Sequence, residues 1–123
     1  MEKGLTFTSR DSVRVENLAK TIGSGDLEVL ATPAMAALME NAAMQAVAPE
    51  LPEGSTTVGS LLQITHSRPS GLGEHIAATA TLEEVEGRKL VFSVVAEDSK
   101  GVIGEGKHIR YVVDKEKFMS KLG

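Results

Sequence analysis

The chain of 123 residues contains no cysteine and no tryptophan, and only one tyrosine and three phenylalanines. Without cysteine it has no disulfides, no thiolate metal ligands and no cysteine nucleophile. With aromatics at 3%, platforms for stacking bases or sugars are nearly missing. A basic surplus is lacking too. Thirteen Lys and Arg stand against 17 Asp and Glu, a formal net charge of -4, so no nucleic-acid partner is expected. The longest uncharged apolar run, Val29 to Met39, is too short to span a bilayer, and no membrane association is expected. Met1-Glu2-Lys3-Gly4 leads into polar sequence without an apolar h-region, so no signal peptide is expected either. What is present is ordinary for a globular chain: 41% hydrophobic and 24% charged residues, with the length of one domain over 1–123. The expectation is a soluble cytoplasmic protein.

Two short β-like runs open the chain, Leu5-Thr6-Phe7-Thr8 and Ser12-Val13-Arg14-Val15, ahead of a Gly-Ser-Gly-Asp loop at 23–26. One long helix follows. Thr32 is a natural N-cap and Pro33 a natural first helical residue, with Ala34 to Val47 continuing the helix until Pro49 and Pro52 stop it. This helix is apolar on nearly every face, which predicts burial all round. From Thr56 to Val113 the pattern is β. Val58, Leu62 and Ile64 mark one face of the first run, and Ile76, Ala78, Ala80 and Leu82 one face of the second. Leu90, Phe92, Val94 and Ala96 mark the third, and Ile109, Tyr111 and Val113 the fourth. Turns at Glu86-Gly87 and Ser99-Lys100-Gly101 make the last three runs an antiparallel meander, and Pro69 to Gly73 forms a longer connection. One apolar helix with one large antiparallel sheet is an α+β arrangement. The simplest packing is a curved sheet wrapped around a central helix, the hotdog fold. Its exposed edges and broad outer face lead us to expect a homodimer.

Glu40 is the most informative residue. It lies mid-helix among Ala36, Ala37, Met39, Ala43 and Met44, where a carboxylate must be paired, be protonated or line a cavity. The plainer alternative is a glutamate on a wet stripe beside Asn41 and Gln45. His66 closes the first long strand in phase with Leu62 and Ile64, which puts it on the face that meets the helix. A lone histidine there is often a satisfied core residue. Together with Glu40 it would form an acid–base couple. Thr32 reads first as a helix cap, yet a hydroxyl beside free N–H groups and the positive helix end would also favour a developing oxyanion. Eight helical residues span about 12 Å, so Thr32 and Glu40 of one straight helix cannot touch. Either the chain bends, or a second subunit completes the site, the arrangement we expect. Gly59 inside a strand marks a bulge or a close approach, whereas Gly104 and Gly106 fit tight packing against the helix. His75 should be solvated, as should Glu50 and Glu53. His108 shares a face with Arg110, and its role is open. No dinucleotide fingerprint, Walker loop, HExxH or nucleophile elbow occurs, and no metal or cofactor is expected.

Ala31-Thr32-Pro33-Ala34-Met35, Leu38-Met39-Glu40-Asn41-Ala42-Ala43, Thr57-Val58-Gly59, His66, and Gly106-Lys107-His108-Ile109-Arg110 together form a pattern. It resembles the fluoroacetyl-CoA thioesterase-like branch of the hotdog superfamily over almost the whole chain. The resemblance implies a catalytic group of Thr32, Glu40 and His66, a substrate-binding Gly59 near the acyl thioester, and a substrate-binding role for Arg110. It further implies hydrolysis of a small or medium acyl-CoA without a cofactor. The segment Gly25-Asp26-Leu27-Glu28 departs from the branch, since it has no aromatic residue to gate a small fluorinated acyl group. Attack by Thr32 or Glu40, and attack by water activated by Glu40 or His66, are both open. CoA phosphates could meet Arg68, Lys107 or Arg110. Two other readings stand beside the hydrolase. One is a non-catalytic acyl-CoA-binding module. The other is an acyl-CoA hydratase, although His66-Ser67-Arg68-Pro69 offers no neighbouring Asp.

Overall fold

The computed structural model describes residues 1–123. Five strands form one antiparallel sheet: β1 (Thr6–Ser12), β2 (Ser55–His66), β3 (His75–Glu86), β4 (Lys89–Asp98) and β5 (Gly101–Asp114), in the order β1-β3-β4-β5-β2. The helices are α1 (Ala19–Ile22), α2 (Thr32–Val47) and α3 (Lys115–Ser120). The strands β3, β4 and β5 form the expected meander, with Gly87 and Gly101 at positive φ in the turns. The sheet curves around α2, as in hotdog proteins.

The inner face of the sheet is built in rows of paired residues. Ala78, Ala96 and Gly104 form one row, and Ala80, Val94 and Gly106 the next. These small residues let α2 come close: a Cβ on Gly104 would lie 2.7 Å from Met35 Cε. Gly106 instead faces the β2 backbone at Gln63 and Ile64, so only Gly104 packs on the helix as expected. Met35, Met39, Ala42, Ala43 and Val47 carry the helix side of an 18-residue core, with Leu82, Leu90 and Phe92 opposite. Ser9 on β1 donates to Asn41 Oδ1 at 2.7 Å and pins the middle of the helix.

Three expectations need correction. The two opening runs are not two strands. A single strand, β1, joins their polar middle, and beyond it Asn17 folds the chain into a turn by accepting from the Arg14 N–H and donating to Ser12 O. Helix α2 is buried on one side only, because the sheet covers one side. Pro33, Ala37, Asn41 and Gln45 are exposed. Ile109, Tyr111 and Val113 share one face of β5 as expected, and that face is the outer one. Its inner face carries His108, paired with Phe92, and Arg110, paired with Leu90. Finally, β2 has a bulge between Gly59 and Leu61. One extra residue reverses the alternation, so Thr57 and Gly59, not Val58, share the inner face with Leu62, Ile64 and His66. Helix α3, started by the Asp114 carboxylate accepting from Lys117 N–H, had no counterpart in the sequence reading.

Candidate active site

The site grows from the seam where α2 meets β2. At one end, Thr32 Oγ1 and His66 Nδ1 share a hydrogen bond of 2.7 Å. The hydroxyl is free to do this because Thr32 is not the cap. Ala31 is the extended residue before the helix, at φ -68° and ψ 137°, and its carbonyl accepts from the Ala34 and Met35 N–H groups. Thr32 is thus the first helical residue, with its side chain exposed and turned to the imidazole. Pro33 has no N–H and the Ala34 and Met35 amides are spent on Ala31 O, so the Thr32 N–H is the donor left beside the hydroxyl at the positive end of the helix.

His66 ends β2 on the inner face, where the count by twos puts it. Burial lowers its pKa, against an opposing contact with the Arg68 backbone, so the imidazole is neutral near pH 7. Its Nε2 is shielded from solvent and has no partner. A cavity of about 250 Å³ adjoins the pair, lined by Ala19, Val29, Leu30, Thr32, His66 and Arg68 among others. Arg68 does not reach out as a free cation. Its guanidinium lies 3.6 Å from the buried Asp98 carboxylate, which also accepts from Ser70 Oγ at 2.7 Å.

Farther along the seam stands a second polar group. Glu40 is half-buried and does not meet His66 in the same chain; its neighbours are Gly59, His108 and Arg110. A Cβ on Gly59 would lie 3.1 Å from Glu40 Oε2, 3.1 Å from His108 Cε1 and 3.5 Å from Arg110 Nη1. The close approach expected at Gly59 is therefore to a carboxylate, an imidazole and a guanidinium together. Arg110 is buried and points inward, donating from Nε to Thr57 Oγ1 at 2.8 Å and from Nη2 to Thr57 O at 2.9 Å. That orientation corrects the idea that it meets a CoA phosphate. Burial lowers the pKa of both His108 and Arg110, and the field of Glu40 works against the shift in each. The expected Glu40–His66 couple is thus absent within one chain. The helix is continuous from Thr32 to Val47, so no bend brings Thr32 and Glu40 together. Sequence reasoning passed over Thr57, hidden by the bulge, and left His108 open. His75, Glu50, Glu53 and Lys107 are at the surface.

A hydroxyl bonded to an imidazole at the start of the helix that a hotdog sheet enfolds is the equipment of a thioester hydrolase. The comparisons narrow the class. The model of the FlK family, fluoroacetyl-CoA-specific thioesterases, matches residues 13–116, and the chain belongs to that family. It is 41% identical over 95 residues to the fluoroacetyl-CoA thioesterase of Streptantibioticus cattleyicolor, covering 77% of this chain and 68% of that one. A variant of the fluoroacetyl-CoA thioesterase FlK solved with acetyl-CoA superposes with a TM-score of 0.93 at 34% identity, over 99% of this chain and 96% of the other. A thioesterase superfamily member from Thermus thermophilus superposes at 0.91 with 25% identity, over 98% and 90%. No helix is long and apolar enough to cross a membrane.

Proposed function

We propose that the protein is a cytoplasmic homodimer that hydrolyses short acyl-CoA thioesters, with each site assembled from two copies of the chain. The observation that carries this is the 2.7 Å bond between Thr32 Oγ1 and His66 Nδ1, the contact between a nucleophile and its base. The hydroxyl oxygen attacks the thioester carbonyl while its proton passes to His66 Nδ1. The Thr32 N–H and the positive end of the helix stabilise the oxyanion. Collapse breaks the C–S bond, and the imidazolium returns its proton to the departing CoA sulfur. Water then adds to the acyl carbon of the acyl-threonine while Glu40 of a second copy takes its proton. The C–O bond to Thr32 breaks, the acid leaves, and the proton from Glu40 returns to Thr32 Oγ1, with Gly59 leaving room over the carboxylate. Arg110 sits behind that carboxylate and tunes the acyl site rather than gripping CoA.

Several features support a second copy. Strand β2 is an unpaired edge of 12 residues with Leu61 exposed, the kind of edge that pairs with another chain. The uncovered face of α2 lies beside it. A two-fold axis across this seam sets the Thr32–His66 end of one chain against the Glu40 end of the other. The cavity of about 250 Å³ suits a short acyl group, and the exposed, aromatic-free loop at 23–28 supports a substrate not selected for fluorine. A cysteine-free chain suits a reducing compartment.

The test is a panel of acyl-CoAs of increasing length with free-thiol detection, run on the wild type, Thr32→Ala, His66→Ala and Glu40→Gln. Turnover of short substrates by the wild type, lost by about 100-fold or more in each variant, is expected. Wild-type activity unaltered by the three substitutions would discard the site. Binding of acyl-CoA with no turnover would leave a binding module.

A further inference from the structure

We propose that His108 is a positioning residue for this reaction, a wedge that fixes the Arg110 guanidinium beside Glu40. The inference rests on the reading of Glu40 as the base for deacylation. His108 is fully buried on the inner face of β5. Its Nδ1 lies 2.8 Å from Leu61 O, and its Nε2 lies 3.1 Å from Arg110 Nη1. Both partners have fixed roles. A carbonyl oxygen only accepts, so Nδ1 carries the proton and donates. A guanidinium only donates, so Nε2 holds a lone pair and accepts. Two neighbours therefore select a single tautomer of a neutral ring. Such a ring, with its one proton committed to a carbonyl, is no proton shuttle.

Its function is geometric. Leu61 O, at the end of the β2 bulge, anchors one side of the ring. The Phe92 ring packs on it with centroids 6.2 Å apart. The far nitrogen then holds Arg110 Nη1, while Thr57 holds Nε and Nη2. The guanidinium is thus gripped at all three nitrogens and cannot swing. It presents a fixed positive charge across Gly59 to the Glu40 carboxylate, since both groups lie within 3.5 Å of the point where a Gly59 Cβ would stand. A loosely held arginine would leave that carboxylate free to rotate away from its water.

The test measures kcat and KM for acetyl-CoA with His108→Leu, His108→Gln and Thr57→Val, together with circular dichroism and thermal melts. Leucine removes the acceptor for Arg110, whereas glutamine keeps an amide oxygen at the reach of Nε2. We expect His108→Leu to lower kcat by about 10-fold or more with KM unchanged or lower, the mark of slowed deacylation. His108→Gln should recover most of the loss, and Thr57→Val should lower kcat by a few-fold in the same pattern. The double variant His108→Leu/Arg110→Met should be no slower than Arg110→Met alone, because both act through one guanidinium. If the His108 variants do not fold, Thr57→Val carries the test, and wild-type kcat in that variant overturns the proposal. Folded His108→Leu with wild-type kcat, or equal losses with leucine and glutamine, also overturns it. A wild type inactive on every acyl-CoA sinks the hydrolase reading first, and is told apart by the absence of any activity to perturb.

Discussion

Replacing Gly59 with alanine adds one methyl group at the most crowded point of the seam. The glycine is not in the left-handed region, so its backbone accepts alanine, and the exchange removes an entropic weakness of about 0.5–1 kcal/mol. Against this, the new carbon stands 3.1 Å from Glu40 Oε2 and 3.1 Å from His108 Cε1. Relaxed contacts begin near about 3.5 Å, so each of the two contacts must open by roughly 0.4 Å. His108 is held by Leu61 O and Arg110 and packed on Phe92, whereas Glu40 is the half-buried end of a flexible side chain. Glu40 yields. The packing cost is then at the low end of about 1–3 kcal/mol, and the net stability change stays within about 1 kcal/mol. A catalytic group misplaced by about 1 Å loses roughly 100-fold, so 0.4 Å corresponds to a fall in kcat of roughly 5- to 10-fold. The assay pairs a thermal melt with acetyl-CoA turnover. The expected result is a melting temperature within about 5 °C of wild type and a several-fold slower enzyme. A variant melting far lower with kcat intact would refute the argument about which neighbour moves, and wild-type values of both would show that the position of Glu40 does not matter.

Thr32→Ala should leave the urea midpoint almost unchanged, because Ala31 and not Thr32 caps the helix, while turnover falls steeply and Thr32→Ser retains part of it. Loss of about 1 kcal/mol or more on unfolding would mean the hydroxyl caps after all. Gly104→Ala should destabilise the fold by about 1–3 kcal/mol, since its methyl would meet the Thr65 carbonyl oxygen at 2.5 Å and Met35 Cε at 2.7 Å, and a backbone atom cannot swing aside. A melt equal to wild type would contradict the closeness of α2 to β5. His66 and His108 both have folded pKa values below the usual 6.5, chiefly through burial. Below about pH 6.5 the unfolded chain therefore binds more protons than the folded one, and stability declines as pH falls through that range, while it is level above. Urea midpoints between pH 5 and 8 should show this, with a shallower decline in His108→Gln. A stability that rises on acidification would reverse the sign and refute the burial argument.

How far the site was legible in the sequence depends on local rules and on one event that breaks them. Alternation placed Ile76, Ala78, Ala80 and Leu82 inside, and phased His66 with Leu62 and Ile64, because period two holds along unbroken strands. The same rule failed upstream of Gly59, where the bulge reverses inside and outside, so Thr57 went unnoticed and Val58 was set on the wrong face. Thr32-Pro33 read as cap and first turn, a shift of one residue that hides the difference between a hydroxyl spent on the helix and one free for His66. The helix geometry that kept Thr32 from Glu40 was readable, since rise per residue is fixed. The partners of Glu40 were not, since they come from β5, some 70 residues away in sequence, and depend on the cross-strand register.

That register also explains why one chain shows two half-sites. The bulge lets Gly59 pair with Arg110 and Leu62 with His108, so the polar side chains of β5 meet the seam at Glu40, a helix length of about 12 Å from Thr32. Had β2 run regularly, Arg110 would have faced a side chain with a Cβ, and the carboxylate would have lost its place. The extra residue at 59–61 is therefore a functional feature. Inserting one residue between Ile109 and Arg110, opposite Ser60, restores one-to-one pairing and should turn Thr57, Gly59 and Arg110 together to the outer face, away from Glu40, and abolish turnover. Because the Thr32–His66 bond lies beyond the shift, a crystal structure of the insertion variant should retain it at about 2.7 Å. Loss of that bond in a folded insertion variant would show that the two ends of the seam are not independent.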